Sequence, residues 1–254
     1  MNLTDSKYYG GIGLIKEKEG LASFVKSFKA FFIEHFPPEK DGHFFHHTYS
    51  YKTRYFFGKI DFYIRLWEFL DLDSRNLDSL RRSYYKLSDS TSNRTKKEFS
   101  KNCERFIDIL KITDKLATEK VKYFNKLECY RMYEAMECLN SGRNLSSVVM
   151  SVSSVEHRLH ILLAKINKRL YEKEFEKVAL GGIIELFRRD SRYAAVKYKK
   201  FKEILPIKHL PLMEMLNIYR IFSAHPKDEL ISSQTAKNII SLSFLLLLDP
   251  VLTI

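Results

Sequence analysis

The fold class follows most directly from residues 146–163, SSVVMSVSSVEHRLHILL. Apolar side chains recur there at the three- and four-residue spacing of an amphipathic helix. The stripe continues beyond this stretch and comprises Val148, Val149, Val152, Val155, Leu159, Leu162, Leu163, Ile166 and Leu170. Other segments of the chain repeat this spacing, so we predict an all-α protein.

Composition supports a folded helical protein with a basic surface. Among 254 residues there are only 9 glycines and 6 prolines, and hydrophobic residues make up 45%. These values exclude a disordered or collagen-like chain. The 43 Lys and Arg residues exceed the 31 Asp and Glu residues, which gives a net charge of +12. This excess favours polyanionic partners, nucleic acid before an acidic membrane surface, although it could also serve solubility alone.

A boundary is predicted near the middle of the chain, at Asn140–Asn144. This stretch consists of turn-forming residues, and the composition changes from Phe and Tyr before it to Val, Ile and Leu after it. We therefore predict a helical domain of unknown role over residues 1–140. Residues 144–254 are predicted to form a second domain, a bundle of four or five helices.

Local signals divide each part into elements. Residues 44–70 are rich in aromatics, which predicts a helix in the latter half and leaves a strand open in the earlier half. The polar stretch Ser88–Thr95 predicts a loop. Thr113 is the expected cap of a helix that reaches Leu139.

The C-terminal part ends in two predicted helices. The first covers Leu210–Ala224 and is followed by His225 and Pro226, which disfavour its continuation. The second begins at Asp228 or Ser232 and reaches Leu248. Its longest apolar run has about ten residues, half of what a bilayer requires, so we interpret it as a buried helix or an oligomer face.

Several features predict a cytoplasmic protein that has no membrane partner. The N-terminus lacks an apolar core of signal-peptide length. The cysteines are odd in number and lie in apolar helical contexts, which predicts reduced core residues. They are Cys103, Cys129 and Cys138.

The segment 215-MLNIYRIFSAHP-226 contains Arg220 and, after four residues, His225. This arrangement resembles the R-x4-6-H motif of the HEPN superfamily of helical domains. Residues 146–163 are similar to the opening helix of that family, with small residues on one face and then Glu156. The basic segment, the motif helix and an apolar last helix follow in the family's order. The resemblance covers residues 144–250.

The resemblance implies a metal-independent endoribonuclease that needs no cofactor. In such an enzyme the ribose 2′-OH attacks the adjacent phosphorus and leaves a 2′,3′-cyclic phosphate. His225 suits proton exchange near neutral pH, and Arg220 suits the stabilisation of charge on phosphate oxygens. Glu156, Asn217 and Ser223 are the candidate supporting residues. The family also implies a role in defence or as a toxin, with an inhibiting or regulatory partner.

Two features leave alternatives open. Catalytic members of the family usually have Asn, Asp or His directly after the arginine, whereas this chain has Ile221. A non-catalytic HEPN domain that binds RNA or a protein is therefore the second hypothesis, and a structural adaptor unrelated to HEPN is the third. In addition, Arg220 could merely pair with Glu156, and His225 could merely cap its helix.

Helix geometry limits how Arg220 and His225 could act together. Five residues turn a helix through about 500°, so the two side chains would point about 140° apart on a continuous helix. Either Pro226 lets the imidazole turn toward the arginine, or a second subunit contributes. The resemblance to HEPN domains, in which two motifs commonly meet across a dimer cleft, implies a homodimer whose Arg220 and His225 pairs line one basic groove.

Basic residues alternate with aromatics in two segments, 75–86 and 188–202. Cations for phosphates and rings for unstacked bases are typical of single-stranded RNA surfaces. The alternative is a solvated face whose tyrosines point into the core. The predicted RNA contacts are Arg188, Arg189, Arg192, Lys197, Lys199, Lys200 and Lys202.

Other motifs give little support to other chemistry. His43, His46 and His47 cluster, but they have no carboxylate partner and no H-E-x-x-H pattern, so no metal site is predicted. The chain contains no P-loop, G-x-G-x-x-G or G-x-S-x-G motif.

Overall fold

The computed structural model describes residues 24–30, 56, 58–70, 72–93, 96–188, 192–193, 195–203, 207–224 and 230–252. Throughout these ranges the regular structure is helical and no strand occurs, which confirms the all-α class. The chain divides into two compact units, Met1–Lys122 and Tyr123–Ile254.

The division of the chain lies earlier than the predicted boundary at Asn140–Asn144. That stretch is a tight turn inside the second unit, in which Gly142 has a φ of 71° and the N–H of Arg143 donates to the carbonyl of Cys138 at 2.8 Å. Left-handed backbone after a helix favours glycine. The turn residues therefore mark the end of one helix and the start of the next, and the two helices pack against each other.

The first unit is built on an aromatic core. Residues 24–30 and 58–68 are helical, and they are followed by helices α1 (Ser74–Asn93) and α2 (Lys96–Lys120). The helices α1 and α2 pack against each other. Among the described residues of this unit, the largest fully buried side chains are Phe28, Ile60, Trp67 and Phe106.

Two predictions for this unit are wrong. The predicted loop Ser88–Thr95 is helical as far as Asn93, because the turn-forming residue types there are only a weak signal against a helix. Thr113 does not cap a helix. It lies inside α2, where its hydroxyl donates to the carbonyl of Ile109 at 2.8 Å. The predicted early strand and the cluster His43–His47 lie outside the described residues.

The second unit contains seven helices in its described residues. They are α3 (Lys126–Asn140), α4 (Asn144–Ile166), α5 (Lys168–Glu174), α6 (Leu180–Phe187), α7 (Lys199–Lys202), α8 (Leu210–Ala224) and α9 (Ser233–Leu248). Helix α4 is central and packs against α3, α5, α8 and α9. The bounds of α8 match the prediction, and Ser232 caps α9 by accepting from the N–H of Thr235.

Side-chain caps set two further helix ends. Asn125 and Glu128 form a capping box at the start of α3, each accepting from the backbone N–H of the other. The side chain of Asn167 accepts from the N–H of Leu170 and starts α5. The apolar stripe that the sequence continues to Leu170 is therefore divided between α4 and α5.

A buried ion pair joins three parts of the second unit. Arg158 of α4 is 1% exposed and Glu128 is fully buried. The guanidinium donates to both oxygens of Glu128, at 2.7 and 2.5 Å, and to the carbonyls of Tyr123, Leu247 and Leu252. All five N–H donors of the guanidinium form hydrogen bonds. The pair therefore links α4 to the start of α3 and to the C-terminal end of α9.

The cysteines are buried and free, as predicted. Cys103 lies in α2, and Cys129 and Cys138 lie in α3. Burial raises the pKa of the Cys103 thiol to about 12. A thiol with so high a pKa carries almost no thiolate at neutral pH, which leaves packing as its role.

Candidate functional site

Arg220 lies in the last turn of α8 and faces the central helix. Its Nε lies 3.3 Å from one carboxylate oxygen of Glu156. The Arg220 side chain is 29% exposed and the Glu156 side chain 15%. The pairing of these two residues, which the sequence left open as an alternative role of Arg220, is therefore present, and it occupies only the Nε of the guanidinium among the described contacts.

Glu156 also anchors the start of α6. Its other carboxylate oxygen accepts from the backbone N–H of Leu180 at 2.8 Å. Ala179, at the cap position of α6, has no side chain that could accept this bond. A carboxylate at a helix N-terminus is favoured because it satisfies an unpaired donor and complements the helix dipole. Glu156 therefore links the guanidinium of Arg220 on α8 to the N-terminus of α6.

Asn217 lies one turn before Arg220 and lines the same junction. A Cβ on Gly181 would come within 3.1 Å of the Asn217 amide nitrogen. A Cβ on Gly182 would come within 2.3 Å of the Val178 side chain. Gly181 therefore allows α6 to begin close to α8, and Gly182 leaves room for the Val178 side chain just before α6. The Asn217 amide oxygen is buried without a partner in the described structure.

The remaining motif residues have different positions. Ser223 is buried, and its hydroxyl lacks a hydrogen-bond partner among the described residues. Ile221 is 49% exposed. His225 lies outside the described residues, directly after the last residue of α8. The structure therefore places Arg220, Glu156 and Asn217 together and gives no position for the predicted imidazole.

The predicted RNA contacts are mostly exposed, and several are already paired. Arg188 pairs with Glu185 at 3.2 Å and with Glu214 at 2.9 Å. Lys197 pairs with Glu174 at 2.7 Å. Arg189 lies outside the described residues. Among the described contacts, the exposed residues Lys199 and Lys200 form no ion pair.

Two further cations of this segment have neutral partners. The guanidinium of Arg192 donates to the hydroxyl of Tyr193 at 2.9 Å. Lys202 reaches the carbonyl of Arg188 at 3.4 Å. The charge of the segment is thus partly neutralised around Arg188 and Lys197 and uncompensated by direct pairs around Lys199 and Lys200.

The tyrosines of this segment belong to the core. Tyr193 is 7% exposed and Tyr198 6%, and both rings contact Phe175. Buried rings cannot stack on unpaired bases. For Tyr193 and Tyr198 the structure therefore agrees with the alternative, in which the rings point into the core. In the first unit Tyr84 is also buried, whereas Tyr85 is 60% exposed.

A polar face of α4 was not predicted from the sequence. Ser153, His157 and His160 lie on one partly exposed face of α4, next to Glu156. From α3, the guanidinium of Arg131 donates to the carbonyl of Ser153 at 2.8 Å. The signal was present in the sequence, because these polar residues follow the same helical spacing as the apolar face opposite.

The imidazole of His160 contacts Tyr171 of α5. Its Nδ1 lies 3.2 Å from the hydroxyl of Tyr171 on α5. Burial lowers the pKa of His160 below the usual 6.5, while Glu156 and the Val178 carbonyl oppose this shift in part. Burial also lowers the pKa of His157, and the positive charge of Arg131 adds to that effect.

These shifts predict a loss of stability on mild acidification. Both histidines have a lower pKa when folded, so the unfolded chain binds more protons as the pH falls through 6.5. We expect the free energy of unfolding of the second unit to decrease from pH 7.5 to pH 5.5. Urea unfolding at both values measures this, and the variant His157→Gln/His160→Gln should show a smaller decrease. An identical decrease in wild type and variant would contradict the assignment.

The outer face of α8 is apolar. Met215, Ile218 and Phe222 are exposed on the side of the helix away from Arg220. With Leu230 and Ile231 they line an open cavity of about 620 Å³. This face follows the i, i+3, i+7 spacing of a helix that contacts another apolar surface.

The described residues contain neither a metal-binding cluster nor a membrane-spanning helix. No group of His, Cys, Asp and Glu side chains there is arranged to hold a metal ion. No helix in the described ranges combines the length and apolar character needed to cross a bilayer.

Comparison of the chain with protein-family models, curated proteins and solved structures gives no match.

Proposed function

We propose that the second unit is a metal-independent endoribonuclease of the HEPN type. The observation that carries this proposal is the arrangement around Arg220. Glu156 holds the Nε of its guanidinium at 3.3 Å, and α6 in turn holds Glu156. The two terminal nitrogens have no partner among the described residues, and part of the side chain is exposed. A guanidinium oriented in this way suits a phosphate group.

In the proposed reaction the ribose 2′-OH attacks the adjacent phosphorus and the bond from phosphorus to the 5′ oxygen breaks. Arg220 stabilises the negative charge that develops on the phosphate oxygens. His225 exchanges the protons, which leave the 2′-OH and reach the departing 5′ oxygen. Its place in the sequence, one residue after α8 ends, supports this role. Lys199 and Lys200 would contact the strand further away.

Cleavage of single-stranded RNA in EDTA tests this proposal. We expect the wild type to release products with 2′,3′-cyclic phosphate ends. Loss of an oxyanion-stabilising donor costs about 100- to 1000-fold in rate, and we expect a loss of that size for Arg220→Ala and for His225→Ala. The matched control is Arg169→Ala, because Arg169 is exposed on α5 and forms no ion pair with the described residues.

Full activity of Arg220→Ala in a folded protein would contradict the proposal. A circular dichroism spectrum and melting temperature equal to those of the wild type establish that the variant is folded. Activity that disappears in EDTA and returns with a divalent cation would contradict the metal-independent route.

A second candidate is a HEPN domain that binds RNA without cleaving it. The observation in favour is Ile221, an exposed apolar residue at the position where catalytic members of that family have a polar one. Such a protein would bind RNA in a salt-sensitive manner and release no product. The same assay, followed by an affinity measurement, separates the two candidates.

The homodimer remains part of the proposal. In solution we expect a mass of twice 30.1 kDa by light scattering. A monomer at every concentration would contradict the dimer while leaving the chemistry of Arg220 intact, because Arg220 pairs with Glu156 of its own chain. The defence or toxin-like role and the regulatory partner stay predictions from the resemblance.

A further inference from the structure

Arg131 of α3 is a partly buried arginine without a carboxylate partner among the described residues. It is half-buried next to α4, and its one described hydrogen bond goes to the neutral carbonyl of Ser153. It forms no ion pair with any described residue. The two acids whose charges act on it through space have other partners, because Glu156 pairs with Arg220 and Glu128 pairs with Arg158.

A half-buried cation without a direct counter-charge is costly, since burial removes part of its hydration. Burial accordingly lowers the pKa of Arg131, and the two acids oppose the shift through space. An anion bound at this position would supply the missing counter-charge and accept hydrogen bonds from the remaining guanidinium donors.

His157 provides a second donor at the same place. It lies one turn after Ser153, on the partly exposed face of α4 that Arg131 approaches. Its imidazole forms no hydrogen bond or ion pair with the described residues. His157 follows Glu156 directly, so about 100° of helix rotation separates the Arg131 side of α4 from the Arg220 side.

From this arrangement we propose that Arg131 and His157 form a subsite for a second phosphate of the RNA strand. The inference rests on the proposed function, because it assigns the phosphate at the cleavage site to Arg220. The strand would cross α4 along its polar face, with one phosphodiester at Arg220 and a further one at Arg131 and His157. Arg131 contributes charge and paired donors, and His157 contributes a hydrogen bond.

The test measures affinity separately from cleavage. The probe is an eight-nucleotide single-stranded RNA with 2′-O-methyl groups, which lacks the attacking hydroxyl and cannot be cut by the proposed reaction. Fluorescence anisotropy gives its affinity for the wild type, Arg131→Gln and His157→Gln. The control is Lys165→Gln, which removes the same charge from an exposed position in the last turn of α4.

We expect Arg131→Gln to weaken binding about tenfold and to lower the salt dependence by the equivalent of one phosphate contact. His157→Gln should weaken binding about threefold at moderate salt, a smaller effect because it removes a hydrogen bond and no full charge. Lys165→Gln should change the affinity less than about twofold. His157 has no described bond that holds the fold, so its variant remains informative even if Arg131→Gln is unstable.

The outcomes separate the subsite from the proposed function. Equal affinities for the wild type, Arg131→Gln and His157→Gln would overturn the subsite, and so would a wild type that does not bind the probe. If these two variants bind weakly but the wild type does not cleave normal RNA, the subsite stands and the proposed cleavage fails. If cleavage depends on Arg220 while the two variants bind normally, the subsite fails and the proposed cleavage stands.

Discussion

Replacing Arg158 with alanine is expected to destabilise the second unit by about 4 kcal/mol, because removal of one partner leaves a buried charge uncompensated. Glu128 is fully buried and loses both of its bonds to the guanidinium. The carbonyls of Leu252 and Tyr123 lose donors as well. A loss of this size is a large share of the stability of an ordinary domain.

Hydrogen exchange measures this effect locally. We expect faster exchange of backbone amides in α3, α4 and α9, which Arg158 connects. The double variant Arg158→Met/Glu128→Gln should recover part of the loss, because it removes both charges and keeps an oxygen that can accept from Asn125. The exposed control Arg169→Ala should change stability by about 0.5 kcal/mol or less.

A loss below about 1 kcal/mol for Arg158→Ala would show that the pair contributes little. Equal losses for the single and double variants would point to the carbonyl contacts, since these disappear in both. The comparison therefore distinguishes the ion pair from the hydrogen bonds around it.

Helix ends were predictable where the residues act locally. Pro226 lies two residues after the end of α8, and the hydroxyl of Ser232 caps the first turn of α9. Both signals are local, so the end of α8 and the start of α9 follow from the sequence. Thr113 and Asn125 are both possible caps by residue type. Only Asn125 has a glutamate three residues later that completes a capping box, and this signal was overlooked.

The buried pair could not be predicted in the same way. Arg158 occupies a position that a helical pattern assigns to polar residues, and its partner Glu128 is 30 residues earlier. Helical periodicity says which side chains share a face, but it does not say which other element covers that face. From the sequence alone, a charged residue on a buried helix face cannot be distinguished from one on an exposed face.

The candidate site was predicted in part for a related reason. The contact between Arg220 and Glu156 had been considered only as an alternative role of the arginine, although both residues lie within the stretch that resembles one family. Arg131 was missed because the predicted boundary assigned α3 to the other domain. Once α3 belongs to the second unit, its arginine and the polar face of α4 become neighbours.

Glu156→Gln is expected to lower RNA cleavage about 100-fold while leaving the fold nearly unchanged. The amide has one oxygen to accept a bond, whereas the carboxylate serves both the N–H of Leu180 and the Nε of Arg220. If the oxygen stays with Leu180, the amide N–H₂ faces the guanidinium and turns it away. A displacement of about 1 Å at a reacting group can cost about 100-fold in rate. Cleavage rates and urea unfolding of the same preparations measure the two effects.

The control Glu156→Ala separates positioning from packing. It removes the acceptor of the Leu180 N–H as well, so it should cost about 1–2 kcal/mol more than Glu156→Gln in the free energy of unfolding. Both variants should lose a similar amount of cleavage, because both release Arg220. If Glu156→Gln cleaves as fast as the wild type, the orientation of Arg220 does not matter to the reaction. The ion pair at 3.3 Å would then only brace α8 against α4.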